Sequence, residues 1–216
     1  MKKTLYSLML SDEVVAEIDR LAHKHGTNRS NLINQILAEH IGLVTPEQRI
    51  NDIFSAIEQL LAPSRDLVPF FVQNAPTMSM KSSLEYKYRP TVKYEVELYR
   101  GSEDALGELT VLFRTQSAAL LSAMAEFFRL WKSIEDRHLR PLLGRAAPVY
   151  ALYDGKFVRS IAVPQCDCSS DELAGAISEY IKLFDTLMKG FLSGRYGAAE
   201  VEAGYFALLS GSRFLI

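Results

Sequence analysis

Residues 4–10 have the character of a short strand that ends at Ser11. Ser11 is then placed to cap a helix, with Asp12 and Glu13 at its positive end. Val14, Val15, Ile18, Leu21 and Ala22 recur at helical spacing, and Gly26 supplies a left-handed stop. Asn28 caps a second helix whose apolar positions are Leu32, Ile33, Ile36, Leu37 and Ile41, closed by Gly42. A third opens at Thr45-Pro46-Glu47-Gln48, where Thr45 is the cap and Gln48 completes a capping box. Its stripe of Ile50, Ile53, Phe54, Ile57, Leu60 and Leu61 runs to Pro63.

From Ser64 to Ser82 the pattern is irregular, and Pro69 and Pro76 mark a linker or a loop packed on the body. Period two then takes over. Leu84, Tyr86 and Tyr88 alternate with Glu85, Lys87 and Arg89, and Val92, Tyr94, Val96 and Leu98 with Lys93, Glu95 and Glu97. That is an antiparallel pair with one wet face. A third strand is expected over Glu108 to Arg114, a long helix over 117–139, and a hairpin from Pro148 to Val163 turning at Asp154-Gly155. Ser169 opens another long helix, and a final one covers Ala198 to Leu209. The expectation is an α+β chain in three parts: a strand-helix-helix unit (1–43), a connecting helix and linker (44–81), and a body of antiparallel sheet and long helices (82–216).

Composition narrows the classes. With 216 residues and 48% apolar content, a real core can form. The formal net charge of −2 gives no global basic signature, so nucleic-acid binding must rest on local placement of charge. The opening residues turn charged too soon for a signal peptide, and no run of about 18 apolar residues suggests a membrane span. Cys166 and Cys168 are too close in sequence for an ordinary disulfide, which points to a reduced, cytoplasmic setting.

A strand and two short helices within about 40 residues cannot fold alone, because one strand leaves its edge groups unpaired and two short helices bury little. The unit makes sense as a dimer, in which two strands pair as a ribbon and four helices close around them. The runs Leu8-Met9-Leu10-Ser11-Asp12-Glu13-Val14, Ile18-Asp19-Arg20-Leu21-Ala22 and Gly26-Thr27-Asn28-Arg29-Ser30-Asn31-Leu32-Ile33 resemble the Arc/MetJ/CopG ribbon-helix-helix family, the CopG branch above all. The resemblance implies a dimer that places its β-ribbon in the DNA major groove. It also implies the groove-facing set Lys3, Leu5, Ser7 and Met9, with Leu8 and Leu10 in the core. Leu5 and Met9 depart from the polar residues usual there; they can touch thymine methyl groups. The N-terminus of the second helix, with the backbone N–H groups of Arg29, Ser30 and Asn31, becomes a phosphate clamp. Lys2, Lys3 and Arg29 add local charge. Residues 1–43 hold five basic residues (Lys2, Lys3, Arg20, Lys24, Arg29) and five acidic ones (Asp12, Glu13, Glu17, Asp19, Glu39), so binding depends on segregation of charge.

Other candidates read more simply. Cys166-Asp167-Cys168 lacks a second ligand pair for a metal, so incidental thiols in a loop are favoured, and no cofactor is expected. His23, His25, His40 and His138 read as surface or capping residues. Tyr86, Tyr88, Tyr94 and Tyr99 fit a sheet face packed under helices better than a ligand pocket. Trp131, Phe127 and Phe128 read as core. No phosphate loop, nucleophile elbow or zinc-protease run supports an enzyme.

The expected function is a sequence-specific transcriptional regulator, a repressor in the first instance, with partners in double-stranded DNA and further copies of itself, as a homodimer or higher homo-oligomer. The body then serves assembly, or binds an effector or a partner protein. The alternative is an antitoxin-like or plasmid-maintenance DNA-binding protein whose C-terminal part binds another protein.

Overall fold

The structure is a computed structural model that describes residues 4, 5, 7–64, 66–72, 74–84, 90–102 and 104–216. Its two N-terminal helices are α1 (Asp12–Lys24) and α2 (Arg29–His40). Their boundaries follow from the caps. Ser11 Oγ accepts from the Val14 N–H, and Asn28 Oδ1 accepts from the Asn31 N–H at 2.9 Å. At the far ends Gly26 and Gly42 adopt φ of +61° and +72°, a region open to glycine at little cost.

Helix α3 (Pro46–Leu61) belongs to the body. Thr45 Oγ1 caps it by accepting from the Gln48 N–H at 3.1 Å. The expected capping box does not form there, because the Gln48 amide donates to Asp52 Oδ1 at 2.8 Å instead. Ile50, Ile53, Phe54, Ile57 and Leu61 are buried in the main core, against the long helix α6 (Ser170–Leu192) and strand β1 (Leu67–Phe71).

The segment read as a linker carries two strands, β1 and β2 (Thr77–Ser83). Pro69 sits inside β1 without breaking the sheet because β1 is an edge strand, where a missing N–H leaves no partner unsatisfied. In β2 the buried Met78, Met80 and Ser82 alternate with Ser79, Lys81 and Ser83, a period-two pattern that its serines obscure. The meander continues through β3 (Thr91–Leu98) and β4 (Gly107–Phe113). The expected strand over Glu85 to Arg89, with Tyr86 and Tyr88, lies outside the described residues. Val92, Tyr94, Val96 and Leu98 of β3 are buried as their spacing predicts.

After β4 the chain crosses the sheet as α4 (Ala118–His138) and a short helix α5 (Arg140–Leu143), and returns at the far edge as β5 (Tyr150–Tyr153). The turn at Asp154-Gly155 leads into β6 (Lys156–Ile161), inserted between β4 and β5. Gly155 is required twice over: its φ is +67°, and a Cβ there would stand 2.5 Å from the Phe113 carbonyl oxygen. The result is one six-stranded antiparallel sheet in the order β1-β2-β3-β4-β6-β5. Helix α6 starts in a full capping box, Ser169 with Glu172, and α7 (Ala198–Gly211) follows it.

The helices pack on one sheet face around Phe184, whose ring meets those of Tyr94, Phe127, Trp131 and Phe157. On the opposite face Lys81, Lys93 and Lys156 lie in one cross-strand row, and Glu97 and Glu108 in another. Among the described residues no helix is long and apolar enough to cross a membrane.

Candidate nucleic-acid interface

The N-terminal helices differ from the body in how little they bury. Within α1 and α2 only Ala22, Leu32 and Ala38 are buried. Leu8, Leu10, Val14, Ile36, Leu37 and Ile41 remain exposed, with 57% of Leu8 and 66% of Ile41 open to solvent. In one chain this unit has no closed core.

The strand expected over Thr4 to Leu10 is not formed: Thr4, Leu5 and Ser7 to Leu10 join no ladder. The reason is physical, since a strand needs a neighbour to hydrogen-bond, and the body's sheet is complete without it. The alternation is visible all the same. Leu5 and Met9 are fully exposed, whereas Leu8 and Leu10 are partly covered. Ser7 is exposed. Lys2, Lys3 and Tyr6 lie outside the described residues.

Two features of the expected phosphate clamp need correction. Asn31 does not offer a free N–H, because the Asn28 side chain accepts it. Arg29 is not a free cation either. Its Nε donates to Asp19 Oδ1 at 2.7 Å and its Nη2 to Asp19 Oδ2, a bidentate pair that ties α2 to α1. The hydrogen bond from Arg29 holds the Asp19 carboxyl below its ordinary range. Arg20 is paired with Glu17 in the same way. The helix start at Arg29 and Ser30 remains exposed.

Sequence reading missed the contact that fastens this unit to the body. Asn74, in the β1–β2 loop, adopts a φ of +65°. Its Nδ2 donates to the His25 carbonyl at 3.0 Å, at the end of α1. Its Oδ1 accepts from Gln35 of α2 and from Asn51 of α3, each at 3.2 Å. Its N–H donates to Asn51 Oδ1 at 2.9 Å, and Arg100 reaches its carbonyl. One side chain thus joins α1, α2 and α3. The only available signal was a turn-forming asparagine two residues before Pro76, which tolerates the left-handed region. Asn74→Gly keeps that backbone conformation and removes the side-chain bonds. It is expected to speed amide exchange in the last turn of α1 and in α2 by about tenfold, at about 0.5–1.5 kcal/mol per hydrogen bond. Unchanged exchange in both helices, measured by mass spectrometry on the full chain, would contradict this role.

Of the tyrosines expected on a sheet face under helices, Tyr99 is instead exposed just beyond the end of β3, and Tyr86 and Tyr88 lie outside the described residues. Tyr94 is buried and donates to Asp185 Oδ1 at 2.8 Å. Burial, and then the Asp185 carboxylate beside it, push the Tyr94 hydroxyl well above its ordinary range, so it stays protonated as a donor. His138 bridges α4 to Glu202 of α7 at 2.7 Å. Cys166 and Cys168 are free thiols, and among the described residues no group of three or more His, Cys, Asp or Glu side chains is placed to hold a metal ion. No family model, curated protein or solved structure matches this chain.

Proposed function

We propose that the chain is a DNA-binding transcriptional repressor whose N-terminal unit works as half of a ribbon-helix-helix dimer. The observation that carries this reading is the unfinished core. Two well-capped helices and the segment before them leave Leu8, Leu10, Val14, Ile36, Leu37 and Ile41 exposed, and that segment has strand alternation but no strand partner. A second copy supplies both missing halves at once: its strand completes a two-stranded ribbon, and its helices cover these apolar side chains. The ribbon then presents Lys3, Leu5, Ser7 and Met9 on its outer face, and the α2 start at Arg29 and Ser30 approaches phosphate. The antitoxin-like alternative has less support, because a partner-binding segment that folds on binding does not fit a body with a continuous core of its own.

The test begins with duplexes selected from a random-sequence pool by the full chain. Arg29 must exchange Asp19 for phosphate to contribute, so Asp19→Asn is expected to tighten binding to all duplexes and steepen its salt dependence. Arg29→Ala is expected to weaken all of them and reduce the salt slope by about 1. Ser7→Ala is expected to cost about tenfold in preference for the selected over a scrambled duplex. Anisotropy titrations in which no duplex binds in a salt-dependent way would defeat the proposal.

A further inference from the structure

A cavity of about 290 Å3 lies in the body, lined by Asp66, Ser83, Leu84 and Leu120 and by α6 and its C-terminal end, from Asp185 to Arg195. Its volume is at the small end of the range for ligand clefts, roughly 300–1,000 Å3, which suits a metabolite-sized solute. Asp185 is nearly fully buried, and both its oxygens are taken: Oδ1 by the Tyr94 hydroxyl at 2.8 Å and Oδ2 by Lys189 Nζ at 2.7 Å. That network fixes one wall. Two opposite charges on the lining remain open. Arg195 and Asp66 are exposed, and neither has an ion-pair partner among the described residues. The Arg195 guanidinium lies over the Tyr196 ring, 5.9 Å from its centroid, a contact that leaves its N–H groups without a carboxylate. Leu84, Leu120 and Leu192 supply the apolar part of the lining.

The four lining charges, Asp66, Asp185, Lys189 and Arg195, cancel. An anion alone would answer Arg195 and leave Asp66 facing like charge. A cation alone would do the reverse, and a neutral apolar solute would answer neither. A zwitterion with an apolar body meets both open charges and the leucines. We propose that this cavity binds a free α-amino acid with an apolar side chain, its carboxylate toward Arg195 and its ammonium toward Asp66. The site lies apart from the N-terminal unit, so it stands or falls independently of the DNA-binding reading.

The experiment is isothermal titration of the full chain, without DNA, against L-leucine and L-phenylalanine. Two analogues isolate the charges: 4-methylpentanoate lacks the ammonium and 3-methylbutylamine lacks the carboxylate. At least one amino acid is expected to bind saturably, each analogue of leucine at least about tenfold more weakly than leucine itself. Arg195→Gln and Asp66→Asn, both on exposed positions and checked for unchanged circular dichroism, are each expected to weaken binding by about tenfold. Absence of binding by both amino acids overturns the proposal. So does binding that neither variant alters, and so does an analogue that binds as tightly as leucine.

Discussion

Arg159→Leu is expected to lower the unfolding free energy by about 3–5 kcal/mol. Arg159 of β6 is buried, and its Nε donates to both oxygens of the fully buried Glu135 of α4, at 3.1 and 3.0 Å. Tyr205 of α7 donates to the same carboxylate at 3.1 Å, and Arg159 also reaches the Ile216 carbonyl. Its guanidinium lies 4.4 Å from the centre of the Tyr180 ring, whose hydroxyl accepts from Trp131 Nε1. Burial opposes the charge on Arg159, but Glu135 beside it more than offsets that, and its pKa stands above the ordinary value. One ion pair therefore joins the sheet to α4, α7 and the C-terminal tail. Removing the arginine leaves the Glu135 carboxylate buried without a cation, facing only hydroxyls such as those of Tyr205 and Tyr150. Urea unfolding followed by far-ultraviolet circular dichroism measures the loss, and a change under about 1 kcal/mol would contradict the account. Glu135→Leu combined with Arg159→Leu is expected to be more stable than Arg159→Leu alone, because it removes the stranded charge as well.

Leu8→Asp and Leu37→Asp are expected to break the proposed dimer while leaving the body folded. In the single chain both leucines are more than half exposed, so an aspartate costs the isolated fold little. In a two-fold dimer each change occurs twice. Burying a leucine is worth about 1.5–3 kcal/mol, so two lost sites correspond to a weakening of about 100-fold or more in association. Sedimentation equilibrium of the full-length variants reads this directly. Dimers as tight as those of the unaltered chain would place the contact elsewhere, on the open sheet face for example.

What the sequence made legible was local. Caps and stops at Ser11, Gly26, Asn28, Gly42 and Ser169 bounded helices because each acts within one turn of chain. Val92 to Leu98 was readable because one buried face imposes period two. The strands over 67–71 and 77–83 were not, since an edge strand tolerates Pro69 and the serines of β2 carry no apolar contrast. Long-range pairings were hidden in the same way. Nothing near Arg29 in sequence announces Asp19 as its partner across a turn, nothing near Asn74 announces three helices, and Gln48 chose Asp52 over its own helix start. Asp185 stands on a long apolar helix, and only the fold sets Tyr94 and Lys189 against it.

The central claim, that two copies join their N-terminal units to read DNA, is tested most directly by sedimentation velocity of the full chain mixed with a selected duplex. The account predicts a complex holding two chains of 24.3 kDa on each duplex site. One chain per duplex, or protein that sediments apart from every duplex selected, would contradict it.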